Sequence, residues 1–278
     1  MQIAKGNYLI DNKGSFLSVE VVGVGEPILI APVPWGINSL KWKFFEKLSK
    51  NYTIIFVEPR GVGNSSIPIN KKDFSIDVLV DDLNAVQNYF EIAKLFLFGS
   101  SAGGFTAMKY VLKFQDRVKK VIVNCSSPTG SFHRGTIRDR NHPRYSEITE
   151  TADIFRKNFS TENFKKYMMQ VYQMDAQSLE AKKEISEAFA RSGISIDRYK
   201  YFATVELNKY NLLDKLEEII IPTLVVGAKY DLHVLPEHSE IIHKLIPNST
   251  LEIMQNSGHF PFVDEEEKFY NLITNFLN

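Results

Sequence analysis

A serine in a glycine-flanked turn, an aspartate beyond a glycine-containing loop and a histidine beyond another could together form a nucleophilic relay. The serine stands in Gly99-Ser100-Ser101-Ala102-Gly103-Gly104, after the apolar run 95–98 and before Phe105, Met108, Val111 and Leu112 at helical spacing. A nucleophile held on a tight strand-to-helix turn needs nearly side-chain-free positions two before and two after it. Gly99 and Gly103 meet that requirement around Ser101. Centring the turn on Ser100 would put Phe98 and Ala102 there, and Phe98 would clash.

A serine hydroxyl is a weak nucleophile until a base takes its proton, and the base needs a third group to fix its tautomer. Thr223-Leu-Val-Val-Gly-Ala-Lys-Tyr-Asp231 reads as a strand leading into a loop with an aspartate just past it, and Asn256-Ser-Gly-His259-Phe-Pro follows the next apolar run in the same way. Ser101, Asp231 and His259 thus each lie just beyond the carboxyl end of an expected strand, where the active sites of open α/β sheets gather. The chemistry expected is acyl transfer to water. Ser101 attacks a carbonyl, His259 shuttles the proton and Asp231 orients the histidine.

Other residues invite competing readings. His233 is close to Asp231 but lacks an independent loop from which to oppose it, so His259 is preferred as the base. His133 and His142 fall where they could touch substrate, whereas His238 and His243 fall on an expected helix and read as solvated. Asp214 and Asp264 read as turn or cap residues. Gly23-Val-Gly25 lacks the third glycine and helix of a dinucleotide loop and reads as a hairpin turn. Arg60 reads as a loop-fixing donor, and Cys125 as a small buried apolar residue without chemistry.

The elements that must position these groups are legible from periodicity. Residues 16–22 alternate, meet Gly-Val-Gly-Glu-Pro and continue into the apolar run 28–31, read as a hairpin entering a sheet. Residues 53–57, 95–98, 118–123, 223–226 and 250–254 are short, apolar and bounded by breakers, as buried parallel strands are. Between them, Ile76, Leu79, Val80, Leu83, Val86 and Phe90 recur at helical spacing over 75–90. From 131 to 213 the alternation stops and four charged, amphipathic helical segments rich in Lys, Glu, Tyr, Phe and Met follow. The expected organisation is a core of 1–130 and 214–278 with a helical lid, 131–213, inserted in it.

The chain has 278 residues, 33 Lys plus Arg against 33 Asp plus Glu, 44% hydrophobic residues and a single cysteine, Cys125. Balanced charge gives no field for a nucleic-acid backbone or an anionic membrane. One cysteine excludes an internal disulfide and a thiolate-rich zinc site, and suits a reducing cytoplasm. Residues 1–14 lack the basic start and apolar run of a signal peptide, and no eighteen-residue apolar run occurs. A soluble, cytoplasmic protein acting on a small molecule or short peptide is expected.

With Gly99-Ser-Ser-Ala-Gly-Gly104, the segments Glu58-Pro-Arg-Gly-Val-Gly-Asn-Ser65, Gly227-Ala-Lys-Tyr-Asp231 and Gly258-His-Phe-Pro-Phe-Val-Asp-Glu265 occur in the order in which the α/β-hydrolase superfamily carries similar segments. The chain resembles that superfamily across its sheet portion, and its Arg-Gly-x-Gly-x-Ser loop resembles the prolyl aminopeptidase-like subgroup. The resemblance implies an eight-stranded, mostly parallel sheet with an inserted helical lid, and a Ser-His-Asp serine hydrolase that needs no metal or organic cofactor. By matching, the backbone N–H groups of Val33 and Ala102 would form the oxyanion hole, although Ala31-Pro32-Val33-Pro34 replaces the usual His-Gly stretch. Cleavage of a small carboxylic ester or related acyl substrate is the first expectation. A prolyl aminopeptidase is the alternative; it usually has Trp where this chain has Ala102, and it would need lid carboxylates for the free amine, for which Glu147, Glu150 and Glu206 are available. A non-catalytic receptor on the same fold commonly lacks a triad member, whereas all three candidates are present here.

Overall fold

Burial along each strand tells where it sits. Tyr52–Val57 (β4) and Thr223–Ala228 (β7) are buried at every position, and Leu95–Ser100 (β5) at all but its last. Such strands can lie only inside a sheet covered on both faces. Gly6–Asn12 (β1), in contrast, alternates exposed and covered positions and forms an edge. With Ser15–Gly23 (β2), Glu26–Ala31 (β3), Val118–Asn124 (β6) and Ser249–Met254 (β8) they build an eight-stranded sheet ordered β1-β2-β4-β3-β5-β6-β7-β8. Only the β1–β2 and β2–β4 pairs are antiparallel. The computed structural model describes residues 3–36 and 42–278.

The expected hairpin between residues 16–22 and 28–31 does not form. β4 lies between β2 and β3, antiparallel to the first and parallel to the second. The hairpin joins β1 to β2, and Gly23-Val-Gly25 is a crossover instead. Both glycines have positive φ, and a Cβ on either would collide with the backbone oxygen of Tyr52 or Asn51. The glycines are needed for that close approach.

The sheet is covered by Lys43–Leu48 (α1), Ile76–Tyr89 (α2), Ala102–Phe114 (α3), Pro236–Leu245 (α8), the single turn Pro261–Asp264 (α9) and Glu266–Leu277 (α10). In α2, Ser75 caps the N-terminus by accepting from Val78 N, and Ile76, Leu79, Val80, Leu83 and Val86 are buried. Between β6 and β7 the chain contributes Thr149–Lys157 (α4), Thr161–Gln173 (α5), Leu179–Arg191 (α6) and Ile196–Tyr201 (α7), the last three capped by Ser160, Ser178 and Ser195. The two ends of this stretch lie side by side: Thr129 and Asn211 form a bridge, Gly130 N donates to Tyr210 O (2.8 Å) and Leu212 N to Pro128 O (2.9 Å). Among the described residues no helix is long and apolar enough to cross a membrane.

Candidate active site

Ser101 joins β5 to α3 with φ 56° and ψ −128°, a backbone region that costs a non-glycine residue on the order of 1–3 kcal/mol. Its neighbours hold it there. Ser101 N donates to Asn124 O and Gly104 N to Ser101 O, both at 2.9 Å. The glycines are steric necessities, since a Cβ on Gly99 would lie 2.6 Å from Ala107 Cβ and one on Gly103 would lie 2.5 Å from Ala31 O.

Ser101 Oγ lies 2.9 Å from His259 Nε2, and His259 Nδ1 lies 2.8 Å from Asp231 Oδ2. Ser100 is engaged elsewhere, accepting from Asn124 Nδ2 at 2.9 Å. Asp231 Oδ1 accepts from the backbone of His233 (2.7 Å) and Val234 (2.9 Å). Burial alone would raise the Asp231 carboxyl, but His259, His233 and the Val234 N–H outweigh it and hold it below the usual carboxylate range. An ionised carboxylate can only accept, so the ring proton of His259 belongs on Nδ1 and Nε2 is left as an acceptor facing the serine hydroxyl.

Several residues around this chain carried no sequence signal. Asp175, just past α5, is buried, and its Oδ2 accepts from both His259 N and Leu232 N at 3.1 Å, tying together the two loops that bear the histidine and the aspartate. Burial, then the Asp231 charge, push its carboxyl up to about 7. Its Oδ2 is 3.4 Å from Nε2 of His233, whose ring burial holds well below the ordinary histidine pKa. Tyr172 of α5 stacks on His259, with centroids 5.5 Å apart and planes at 8°. Asp264 braces the same loop by accepting from Gly258 N at 2.9 Å.

Ser101 and His259 open onto a cavity of about 460 Å³ walled by the stretch between β6 and β7, with Phe155, Tyr167, Tyr172, Tyr199 and Phe202 as its aromatic lining. His133, Arg138, His233 and Ala102 also line it. Val33 lines a smaller recess shared with Ser101 and His259. The Val33 segment is held from two sides. Buried Arg198 of α7 donates to the carbonyls of Pro34, Arg60 (2.9 Å) and Phe74 (3.4 Å), and Ser195 N donates to Trp35 O at 3.0 Å. Burial lowers Arg198 to about 10, still protonated at neutral pH.

The remaining candidates fall elsewhere. Glu147 pairs with Arg144 on the surface, Glu150 is exposed, and buried Glu206 accepts from Ile76 N; none lines the cavity. His142 lies outside it as well, accepting from Arg144 N at 3.1 Å. His238 and His243, expected in solvent, are half-buried, because α8 turns them onto Ser127 (3.1 Å) and Ser249 (2.8 Å). Arg60 makes a bidentate ion pair with buried Asp82, its Nη2 at 2.7 Å. Cys125 lies beside the relay: a donor atom each from Cys125, Asp231 and His259 fall within 4.8 Å of one another. The thiol is pushed well up by burial and then by Asp231, and the other two donors already bind each other, so the trio lacks the thiolate a metal would need.

The model of the alpha/beta hydrolase fold family matches residues 35–266. The chain is 26% identical over 252 residues to a proline iminopeptidase of Clostridioides difficile (strain 630), covering 84% of this chain and 85% of that protein. An alpha/beta fold family hydrolase from Bacillus anthracis str. Sterne superposes with TM-score 0.87 at 24% identity, over 98% of this chain and 99% of that one. An esterase from Exiguobacterium antarcticum superposes with TM-score 0.76 at 23% identity, over 98% and 100%. The chain belongs to the α/β-hydrolase fold family, as an enzyme similar in sequence to its proline iminopeptidases.

Proposed function

We propose that this chain is a serine hydrolase of small carboxylic esters or related acyl substrates, working through an acyl-enzyme on Ser101. The observation that carries this reading is the unbroken hydrogen-bonded series from Ser101 Oγ through His259 to Asp231, opening onto a cavity. His259 Nε2 takes the hydroxyl proton as Ser101 attacks and returns it to the leaving group, while Asp231 holds the tautomer and balances the imidazolium. The backbone N–H groups of Val33 and Ala102 are assigned to the developing oxyanion, Val33 being held in place through the Arg198 bond to Pro34 O. Residues 131–213 act as the inserted lid that shapes the acyl and alcohol pockets, a division supported by the adjoining ends at Thr129 and Asn211.

The similarity to proline iminopeptidases favours a second reading, removal of an N-terminal proline. That reaction needs an anion to receive the free amine, and among the described residues none that lines the cavity is Asp or Glu. The lining therefore favours the ester reading.

The test is labelling of purified protein with a fluorophosphonate, together with hydrolysis of p-nitrophenyl esters, lactones and prolyl arylamides. Ser101→Ala is expected to abolish labelling and to reduce ester turnover by on the order of a millionfold. A tenfold loss, or labelling that moves to Ser100, would refute the nucleophile. Faster cleavage of prolyl arylamides than of esters would install the peptidase reading.

A further inference from the structure

The cavity contains a cation without a counter-charge. Arg138 lines it, partly buried, and its polar neighbours are uncharged: the thioether of Met168, 3.8 Å from Nη2, and the hydroxyls of Tyr167 and Tyr172. Among the described residues no carboxylate lies within ion-pair distance of it. The other arginine lining the cavity, Arg156, is already bonded to Asp153 (2.7 Å) and Tyr145 Oη (3.0 Å). Arg138 is also held in place: the preceding Ile137 donates its backbone N–H to Leu232 O at 2.9 Å, and Arg138 N donates to Thr136 Oγ1 at 3.3 Å. The fork is therefore carried on the segment that packs against the Asp231 loop.

Two further polar atoms on residues lining the cavity have no hydrogen-bond partner among the described residues. Trp35 Nε1, which can only donate, and His133 Nδ1 are both buried without a hydrogen bond. Burial and the neighbouring Arg138 lower His133 to about 4, so at neutral pH it adds no second positive charge and keeps one N–H to offer. A guanidinium and two unused ring nitrogens, in an aromatic cavity without acidic lining, leave an unpaired charge that a folded protein retains at a cost unless a ligand answers it.

We propose that the substrate carries a carboxylate remote from its scissile carbonyl, and that Arg138 receives it. This rests on the serine-hydrolase reading and adds to it the class of substrate: a carboxylate-bearing ester or acyl compound. The planar fork matches a carboxylate through two parallel hydrogen bonds, which a lysine at this position would not reproduce.

The experiment compares p-nitrophenyl monoesters of glutaric and adipic acid with the neutral valerate and hexanoate esters. In parallel, glutarate, adipate and neutral glutaramide are tested for protection of Ser101 from a neutral fluorophosphonate, which detects an anion site on either side of the scissile bond. The parent is expected to prefer the charged esters or to be protected by the dicarboxylates but not by the diamide. Arg138→Met, which retains an apolar stem beside Met168, is expected to lose that discrimination by about 30-fold, mainly in KM, with a cooperative melt retained. Arg138→Lys should restore only part of it. Labelling at Ser101 with no charged-ester preference and no dicarboxylate protection overturns this inference alone. Absence of labelling overturns the hydrolase reading beneath it.

Discussion

Gly103→Ala tests whether the close packing of the serine turn against the Ala31–Pro32 backbone matters to catalysis. The new Cβ would lie 2.5 Å from Ala31 O and 3.5 Å from the carbonyl carbons of Ala31 and Pro32. Ordinary C···O contact begins at about 3.3 Å, so α3 or the 31–34 segment must yield by roughly 0.8 Å. Alanine gains up to about 1 kcal/mol over glycine in a helix, but strain from an inserted methyl in a packed site costs about 1–3 kcal/mol. The strain should win, lowering the melting temperature. The larger effect is on rate. A displacement approaching 1 Å moves the Val33 N–H relative to Ser101, and misplacement of that size can cost on the order of 100-fold. The expected outcome is a fall in kcat of about 10- to 100-fold on p-nitrophenyl butyrate, with a matching fall in the fluorophosphonate inactivation rate and a cooperative melt retained. A Gly103→Ala enzyme with parental kcat would refute the reasoning, and one that loses stability but not rate would detach the 31–34 segment from catalysis.

Two further outcomes follow from the same geometry. Val33→Pro deletes the proposed oxyanion donor and should cost roughly 3–4 kcal/mol of transition-state stabilisation, whereas Val33→Ala keeps the N–H and should change kcat little; equal effects of the two on kcat/KM would remove Val33 from the mechanism. Asp175, pushed to about 7 by burial and Asp231, keeps its proton in the fold from about pH 4, where an unfolded carboxyl loses it, up to about 7. The folded state therefore binds more protons in that window, and stability falls as pH rises through it. Asp175→Asn cannot ionise, so its melting temperature should gain on the parent's between pH 5 and pH 8; a difference that stays constant across that range would contradict the assignment.

Asp175 and Arg198 also explain how the helical stretch is joined to the chemistry. Asp175 spans the two loops bearing Asp231 and His259, while Arg198 holds the carbonyls of Pro34 and Arg60. The helical stretch that walls the cavity is thus tied by these two side chains to the loops bearing Asp231 and His259 and to the segment bearing Val33.

What the sequence determined by itself was local. Glycines at 99 and 103 are dictated by atoms a few residues away or on the adjoining strand, and the apolar runs that became β4, β5 and β7 announce strands buried on both faces. The order of Ser101, Asp231 and His259, each past a strand, followed from the same patterns. Strand neighbours did not: residues 16–22 and 28–31 read as a hairpin because only a turn separates them, yet β4 inserts between them through pairings made thirty residues later. The cavity was equally hidden. Nothing in the sequence separates Glu147, Glu150 and Glu206 from Arg138 as charged residues of the 131–213 stretch, and only packing decided that the acids face solvent or a helix end while the arginine lines the cavity without a carboxylate beside it. Asp175 had no signal at all, because its meaning lies in backbone N–H groups of residues 57 and 84 positions away. Periodicity and glycine sterics act over a few residues, whereas burial, charge pairing and pKa depend on which distant segments meet.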